Sequence, residues 1–465
     1  MSAPFLLLLA TGFLAIATLA TRSKPRLQTV VGVGGCLALV ILILLVRLDA
    51  AASFLGLSLK LGSVWRVLGR ALVLDQAARA AIAFLYAVGG FLFFAANTAK
   101  VKATFVPLGL FCLACVAGSL MIRPFLYAAI LLELAAIGGL LILLEPQPRS
   151  ERGGLRLLSL YTMAMLAILL AGWVLDVSGL SKVTPELAQR ATALLSLGFS
   201  ILLFLPPFHI WLPAAAQRSH PYLVVFVAVV LQSAGLFFLL HFLDAYEWLR
   251  TSPTVFAGMR SVGFAVLVFG GLMAFVQTSF EKMMAYAMVA DMGVTLIAVG
   301  AGLLEGYQLA MGLNAAKAVG LSTWALGASS LRKRQASGGM TGLDGNHARA
   351  PLAYACALFG AFSLAGLPGT AGFPPRWSLL TILASRDIVS AIGVIVATSL
   401  LAGSALRWLV PLVSFEPTPW LATLARSERI LLLGGVLMSI AIGAFPQILY
   451  HWLVGAVSGL PNLSP

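Results

Sequence analysis

The 465-residue chain is 60% hydrophobic and only 10% charged, against roughly 25% charged residues in an ordinary soluble domain. At a mean hydropathy of +1.00 there are too few charges to cover the apolar area of a water-soluble fold, and disorder, a collagen-like chain and a disulfide-rich secreted scaffold are excluded as well. The net charge of +14 therefore belongs to loops flanking a membrane and not to a nucleic-acid surface.

The apolar runs are continuous and about 20 residues long, which suits a membrane-crossing helix and not the alternating strands of a porin-type barrel. The expected fold class is all-α, a polytopic membrane protein with about fourteen transmembrane helices. The segments fall at 4–20, 28–47, 79–97, 102–121, 124–144, 155–176, 190–213, 221–243, 258–277, 281–303, 308–331, 351–384, 388–414 and 429–453. The first has no basic stretch before it and reads as a spanning helix, not a cleaved signal. The connection 48–78 carries Lys60, Arg66 and Arg70 among apolar residues, which suits an interfacial segment or a short hairpin. The most polar loop is 332–350. Cys36, Cys112, Cys115 and Cys356 lie inside apolar stretches and read as small packing residues, the Cys112/Cys115 pair included.

Lys and Arg are more numerous in the loops after odd-numbered segments, where Arg22, Lys24, Arg26, Arg149, Arg152, Arg156, Arg332, Lys333 and Arg334 stand. That bias places those loops in the cytoplasm and both termini outside, in a multi-pass protein of the cell membrane. Lys317, Arg376, Arg407, Glu133 and Asp291 lie within or beside spanning segments instead. A charge at the bilayer centre costs at least ~2.5–3.5 kcal/mol, so each needs a partner, a hydrated cavity or a function.

Two segments carry their own breaks, LPPFHIWLP at 205–213 and GLPGTAGFPPR at 366–376. Proline removes an amide donor, and the freed carbonyls must be satisfied by protein or water. Broken helices five segments apart suggest two inverted five-helix repeats with a pathway at their midplane. The expected divisions are N-terminal helices over 1–100, a first repeat over 101–245, a second over 255–414 and a last helix over 415–465.

PFHIWLP (207–213), with the helix ending in SAGLFFLL (233–240), resembles the antiporter-like membrane subunits of proton-pumping NADH:quinone oxidoreductase, complex I. MAFVQTSFEKMMAYAMVADMG (273–293), NAAKAVGL (314–321) and SLAGLPGTAGFPPR (363–376) resemble further stretches of that family in the same order. Relatives with this fold include subunits of multisubunit Na+/H+ antiporters, membrane-bound hydrogenases and inorganic-carbon uptake complexes. The resemblance implies a mid-membrane chain of charged residues that moves protons between half-channels. Burial disfavours the charged form of a lysine and a nearby carboxylate restores it.

Carried over by position, the family's helix-five glutamate is Glu133, its helix-eleven lysine is Lys317 and its helix-twelve lysine is replaced by Arg376, which keeps the charge but does not release a proton. The helix-seven lysine position holds Leu202. The helix-eight lysine position holds Ser233, and the alternative histidine position holds Val227. The expected relay runs along Glu133, waters, Lys317 and Arg376, with a water at Ser233. Asp291 stands where the family has His or Gln and is placed to pair Lys317 or to sit in a polar cavity. His209, in the first break, either donates to loose carbonyls or shuttles protons. His241 is expected at the membrane interface, and Tyr286 between helices.

No nucleotide loop, cysteine cluster or haem-type histidine pair is present in the sequence, so no cofactor or metal is expected and no redox chemistry in this chain itself. The implied partners are other membrane subunits and the lipid bilayer, with protons or Na+ transported and no nucleic acid bound. The function read from this is an ion-translocating subunit of a complex I-like respiratory assembly. The alternative is a degenerate, non-conducting scaffold, motivated by Leu202 and Ser233, or a subunit of one of the related complexes.

Overall fold

The computed structural model describes residues 2–45, 51–54, 57–60, 62–67, 69–144, 151–176, 184–335, 350–410, 424–448, 455, 457 and 459–463. Most of the polar loop 332–350 and the ends of the last two expected segments lie outside them.

Helices α1 (Ala3–Ala20) and α2 (Pro25–Leu45) form the first hairpin. Within the 48–78 connection, where an interfacial segment or short hairpin is expected, the described residues form short paired strands. Strand β1 (Ala51–Phe54) pairs antiparallel with β2 (Leu57–Lys60), with Phe54 opposite Leu57. Strand β3 (Val64–Val67) pairs with β4 (Arg70–Val73), with Val67 opposite Arg70, and β5 (Ile122–Arg123) extends that sheet. Charged residues split this stretch into apolar pieces too short to span, and pairing the strands satisfies their backbone groups. Asp75 follows. It accepts from Ala78 N at 2.8 Å, capping α3 (Gln76–Ala99), and pairs with Arg123 at 2.6 Å.

The chain continues through α4 (Phe105–Met121), α5 (Ala128–Leu143), α6 (Glu151–Asp176), α7 (Pro185–Leu202), α8 (Trp211–Arg218), α9 (Pro221–Ala245) and the single turn α10 (Glu247–Arg250). It goes on through α11 (Pro253–Val276), α12 (Phe280–Gly300), α13 (Leu304–Gln335), α14 (Pro351–Ala365), α15 (Phe373–Arg386), α16 (Ile388–Arg407) and α17 (Arg426–Ala444). Among the described residues, ten helices are individually long and apolar enough to cross a membrane. The other four expected segments fall on α4, which is short, on the broken pairs α7/α8 and α14/α15, and on α13, whose polar residues lower its hydropathy.

The apolar stretch of α9 is wholly buried, and that of α12 is 94% buried. These two helices and α13 form the centre. The outer helices turn Phe13, Ile16, Val389 and Leu437 outward, at 69%, 68%, 73% and 64% exposure. In water, apolar area on that scale is a liability; in lipid it is the required surface.

Both expected breaks are present. After Leu202 the backbone turns through Phe204 at φ +60, and a 3-10 turn over 208–210 leads into α8. Gln232 of α9 donates its amide to Leu203 O at 3.0 Å, satisfying a carbonyl that the break frees. In the second break, Gly366 ends α14 at φ +74, a conformation that a side chain disfavours. Arg376 closes that break by donating to Gly372 O at 3.1 Å and to Ser363 O at 3.4 Å.

Candidate ion pathway

Asp291 lies in the middle of α12, Lys317 on α13 and Arg376 in the first turns of α15. Their side chains are 1%, 0% and 6% exposed. The Arg376 guanidinium donates to Asp291 Oδ1 in an ion pair. Asp291 Oδ2 lies 3.9 Å from Lys317 Nζ. Lys317 Nζ in turn donates to Gln232 Oε1 at 3.0 Å. The contacts therefore run Arg376, Asp291, Lys317, Gln232, Leu203 O, a continuous polar line from one helix break to the other. Two cations and one anion share it. Removing such charges from water is offset only by close pairing and hydrogen bonding.

Helix geometry explains why these groups meet. Asn314 and Lys317 are three residues apart on α13 and so share a face. Asn314 Oδ1 accepts from Ser233 Oγ at 3.0 Å, while the adjacent Gln232 points toward Lys317. Asp291 Oδ2, Asn314 Nδ2, Ser363 Oγ and Arg376 Nε are buried with no hydrogen-bond partner among the described residues.

Of the residues expected from the sequence, the fold thus gathers Asp291, Lys317 and Arg376, with Ser233 beside them. Asp291 does face Lys317, but its main partner is Arg376. Arg376 serves its charge partner and the freed carbonyls at once.

Glu133 is not brought into this line. It is half-buried on α5, accepts from Thr162 Oγ1 of α6 at 2.8 Å, and has no cation within ion-pair distance among the described residues. Its neighbours Ile130 and Leu134 are 42% and 39% exposed, so it lies toward the outer face of the bundle. Leu202 is 2% exposed and packs against Gly235 with no ionisable substitute.

His209 is also apart. It is 6% exposed, its ring centroid lies 5.2 Å from that of Phe269 and 5.6 Å from that of Tyr286, and Nδ1 has no hydrogen-bond partner among the described residues. Among the described residues, Nδ1 makes no hydrogen bond to a carbonyl that the break frees. Tyr286 packs between helices as expected. His241, expected at the membrane interface, is covered by protein. It is 3% exposed, with Nδ1 at 2.8 Å from Phe237 O and Phe125 over its ring, because the end of the central helix α9 is itself covered.

The residues missed by sequence reasoning are Gln232, Asn314 and Thr162. An amide in the run VVLQSAGLFFLL, one residue from Ser233, was the available signal for the first; the i−3 spacing to Lys317 was the signal for the second.

Comparison with known proteins agrees with this architecture. The family described as "NADH:quinone oxidoreductase/Mrp antiporter, TM" matches residues 157–402. NADH-quinone oxidoreductase subunit 13 of Thermus thermophilus is 27% identical over 376 residues, 76% of this chain and 78% of that protein. NADH-quinone oxidoreductase subunit N 1 of Herpetosiphon aurantiacus is 28% identical over 273 residues, 56% of this chain and 54% of that protein, so the chain spans about half the length of that relative. A chain of the membrane-bound sulfane sulfur reductase, an archaeal respiratory membrane complex, shares the fold at a TM-score of 0.79 and 16% identity, over 100% of this chain and 99% of that one. A chain of the Mrp complex from Dietzia sp. does so at 0.77 and 16%, over 98% of this chain and 52% of that one. A chain of respiratory complex I from Thermus thermophilus matches at 0.73 and 22%, over 98% and 100%. With more than half of its length inside the matched region and the whole chain sharing the fold, this membrane protein belongs to the NADH:quinone oxidoreductase/Mrp antiporter transmembrane family.

Proposed function

We propose that the chain is an ion-translocating subunit of a multisubunit respiratory or antiporter assembly in the cell membrane. The observation that carries this is the buried line Arg376, Asp291, Lys317, Gln232, which joins the two helix breaks. Intramembrane ionisable groups are rare and mark ion or proton routes. Lys317 is the member of the line able to release a proton; Arg376 acts as a fixed charge. The unpartnered polar atoms beside them call for water, since buried polar groups are nearly always hydrogen-bonded. The transported ion is then a proton passed through Lys317 and those waters. We take 101–245 and 255–414 as the two repeats and the odd-numbered loops as cytoplasmic, with both termini external.

Glu133 fits this reading as a group at the edge of the subunit. A half-buried carboxylate between exposed apolar residues suits a face covered by a neighbouring membrane subunit. The test is driven translocation by the reconstituted assembly with Lys317→Met in this chain. A fall of at least tenfold with assembly intact supports the reading.

A second reading has its own observation. Leu202 fills the first break with a packed hydrocarbon where the resemblance leads one to expect lysine. On that reading the chain is a scaffold, its deletion disrupts assembly, and Lys317→Met leaves translocation unchanged.

A further inference from the structure

Outside the charged line, the end of the bundle that carries His209 holds a cleft of about 320 Å³. It is lined by Arg152 and Arg156 from α6, Gln217 and Arg218 from α8, Lys282 from α12, and His209. Four basic residues from three helices share one cavity, and among the described residues no carboxylate lines it. Glu281, next to Lys282, is turned to Ser279 Oγ at 2.8 Å. The cluster is built by backbone contact: a Cβ on Gly153 would meet Ala215 Cα at 2.9 Å. Only glycine lets α6 approach α8 this closely, and that approach sets Arg152 and Arg156 beside Arg218. His209, 6% exposed, also lines the cleft, so an imidazole stands among the four cations.

We infer that this cleft binds a phosphate-bearing anion, and that the anion is the headgroup of an anionic phospholipid. Guanidinium groups match phosphate oxygens in bidentate geometry. Basic clefts between membrane helices on the cytoplasmic side recruit such headgroups, and all four cations here stand at the ends that the basic-loop bias assigns to that side. The cleft also meets the lipid surface. Ile210 lines it at 46% exposure, and Val276, next to the lining residue Gln277, is 56% exposed. An acyl chain descending from a bound headgroup has apolar side chains to lie on; a free phosphate gains nothing from them.

The test is native mass spectrometry of the purified full-length chain with added phosphatidylglycerol or phosphatidylcholine, with and without inorganic phosphate. Phosphatidylglycerol retention at least tenfold above phosphatidylcholine is expected. It should fall by at least tenfold in R152Q/R156Q and by less in R152K/R156K, which keeps the charge but loses the bidentate fork. The triple variant R22Q/K24Q/R26Q, which removes three charges elsewhere, should leave it unchanged. Equal retention of both lipids, or unchanged retention in R152Q/R156Q, overturns the inference. Displacement of the lipid by millimolar phosphate overturns the lipid assignment and makes the cleft a site for a soluble phosphate.

Discussion

Lys317 on α13 and Gln232 on α9 are joined across the centre of the bundle, Nζ to Oε1 at 3.0 Å. The same Gln232 donates from its amide nitrogen to Leu203 O in the first helix break. One side chain therefore links the lysine of the second half to the backbone of the first, beside the Ser233 position where a lysine was expected. The bridge has moved by one residue and has lost its charge.

Gln232→Leu removes both bonds and leaves Lys317 and Leu203 O each short of a partner. A buried group left unsatisfied costs about 1–3 kcal/mol, and thermal melting of the purified chain should show a loss of that order. Gln232→Glu keeps an acceptor for Lys317 and should lose less. Equal melting of wild type and Gln232→Leu would refute the bridge.

The charge count at Asp291 makes a second, asymmetric prediction. Removing Arg376 leaves Asp291 facing Lys317, one charge of each sign. Removing the acid leaves two buried cations without compensation. Breaking a buried pair in that way costs about 3–5 kcal/mol. Asp291→Asn should therefore melt well below Arg376→Gln, and the reverse order would show that Lys317 does not share the carboxylate.

How far this site was legible depends on what each residue reports. Lys317, Asp291 and Arg376 stood out because a charge in an apolar run is expensive wherever it points, and the breaks stood out because proline and glycine act on the local backbone. What a charge faces is a property of helix packing, which hydropathy does not encode. Hence the sequence pairs Asp291 with Lys317 and leaves its nearer partner, Arg376, a separate charge, and it does not reveal that Glu133 faces Thr162 instead of the line. Gln232 is silent in the sequence because an amide carries no charge to mark it. The strands over 51–73 were half legible, since Lys60, Arg66 and Arg70 excluded a spanning helix but did not specify register.

The approach of α13 to α14 rests on missing side chains. A Cβ on Gly360 would meet Trp324 N at 2.7 Å and Trp324 Cβ at 2.8 Å. Gly360→Val forces apart the helices that hold Lys317 and the second break. Overpacking of this kind costs about 1–3 kcal/mol, so the variant should melt lower and lose translocation together. A variant with wild-type melting would contradict the contact.

His220, before α9, supplies a pH test. Burial, with Arg332 nearby, pushes its imidazole down from 6.5 to about 4. The neutral ring fits the fold, where its Nδ1 accepts from Tyr222 N at 3.3 Å. Below pH 6.5 the unfolded chain takes up a proton that the folded chain refuses. Stability is therefore full above that pH, falls between 6.5 and about 4, and gains no further slope from this group below. His220→Asn, which keeps a capping side chain, should flatten that part of the melting profile. Identical acid slopes in both proteins would rule the histidine out.

The central claim is tested most directly by driven ion translocation in vesicles containing the whole assembly with Lys317→Met. That variant leaves Asp291 paired with Arg376, one charge of each sign in the line, so assembly should survive. The account predicts assembled complexes whose translocation falls by at least tenfold. Assembled complexes that translocate at the wild-type rate would contradict it.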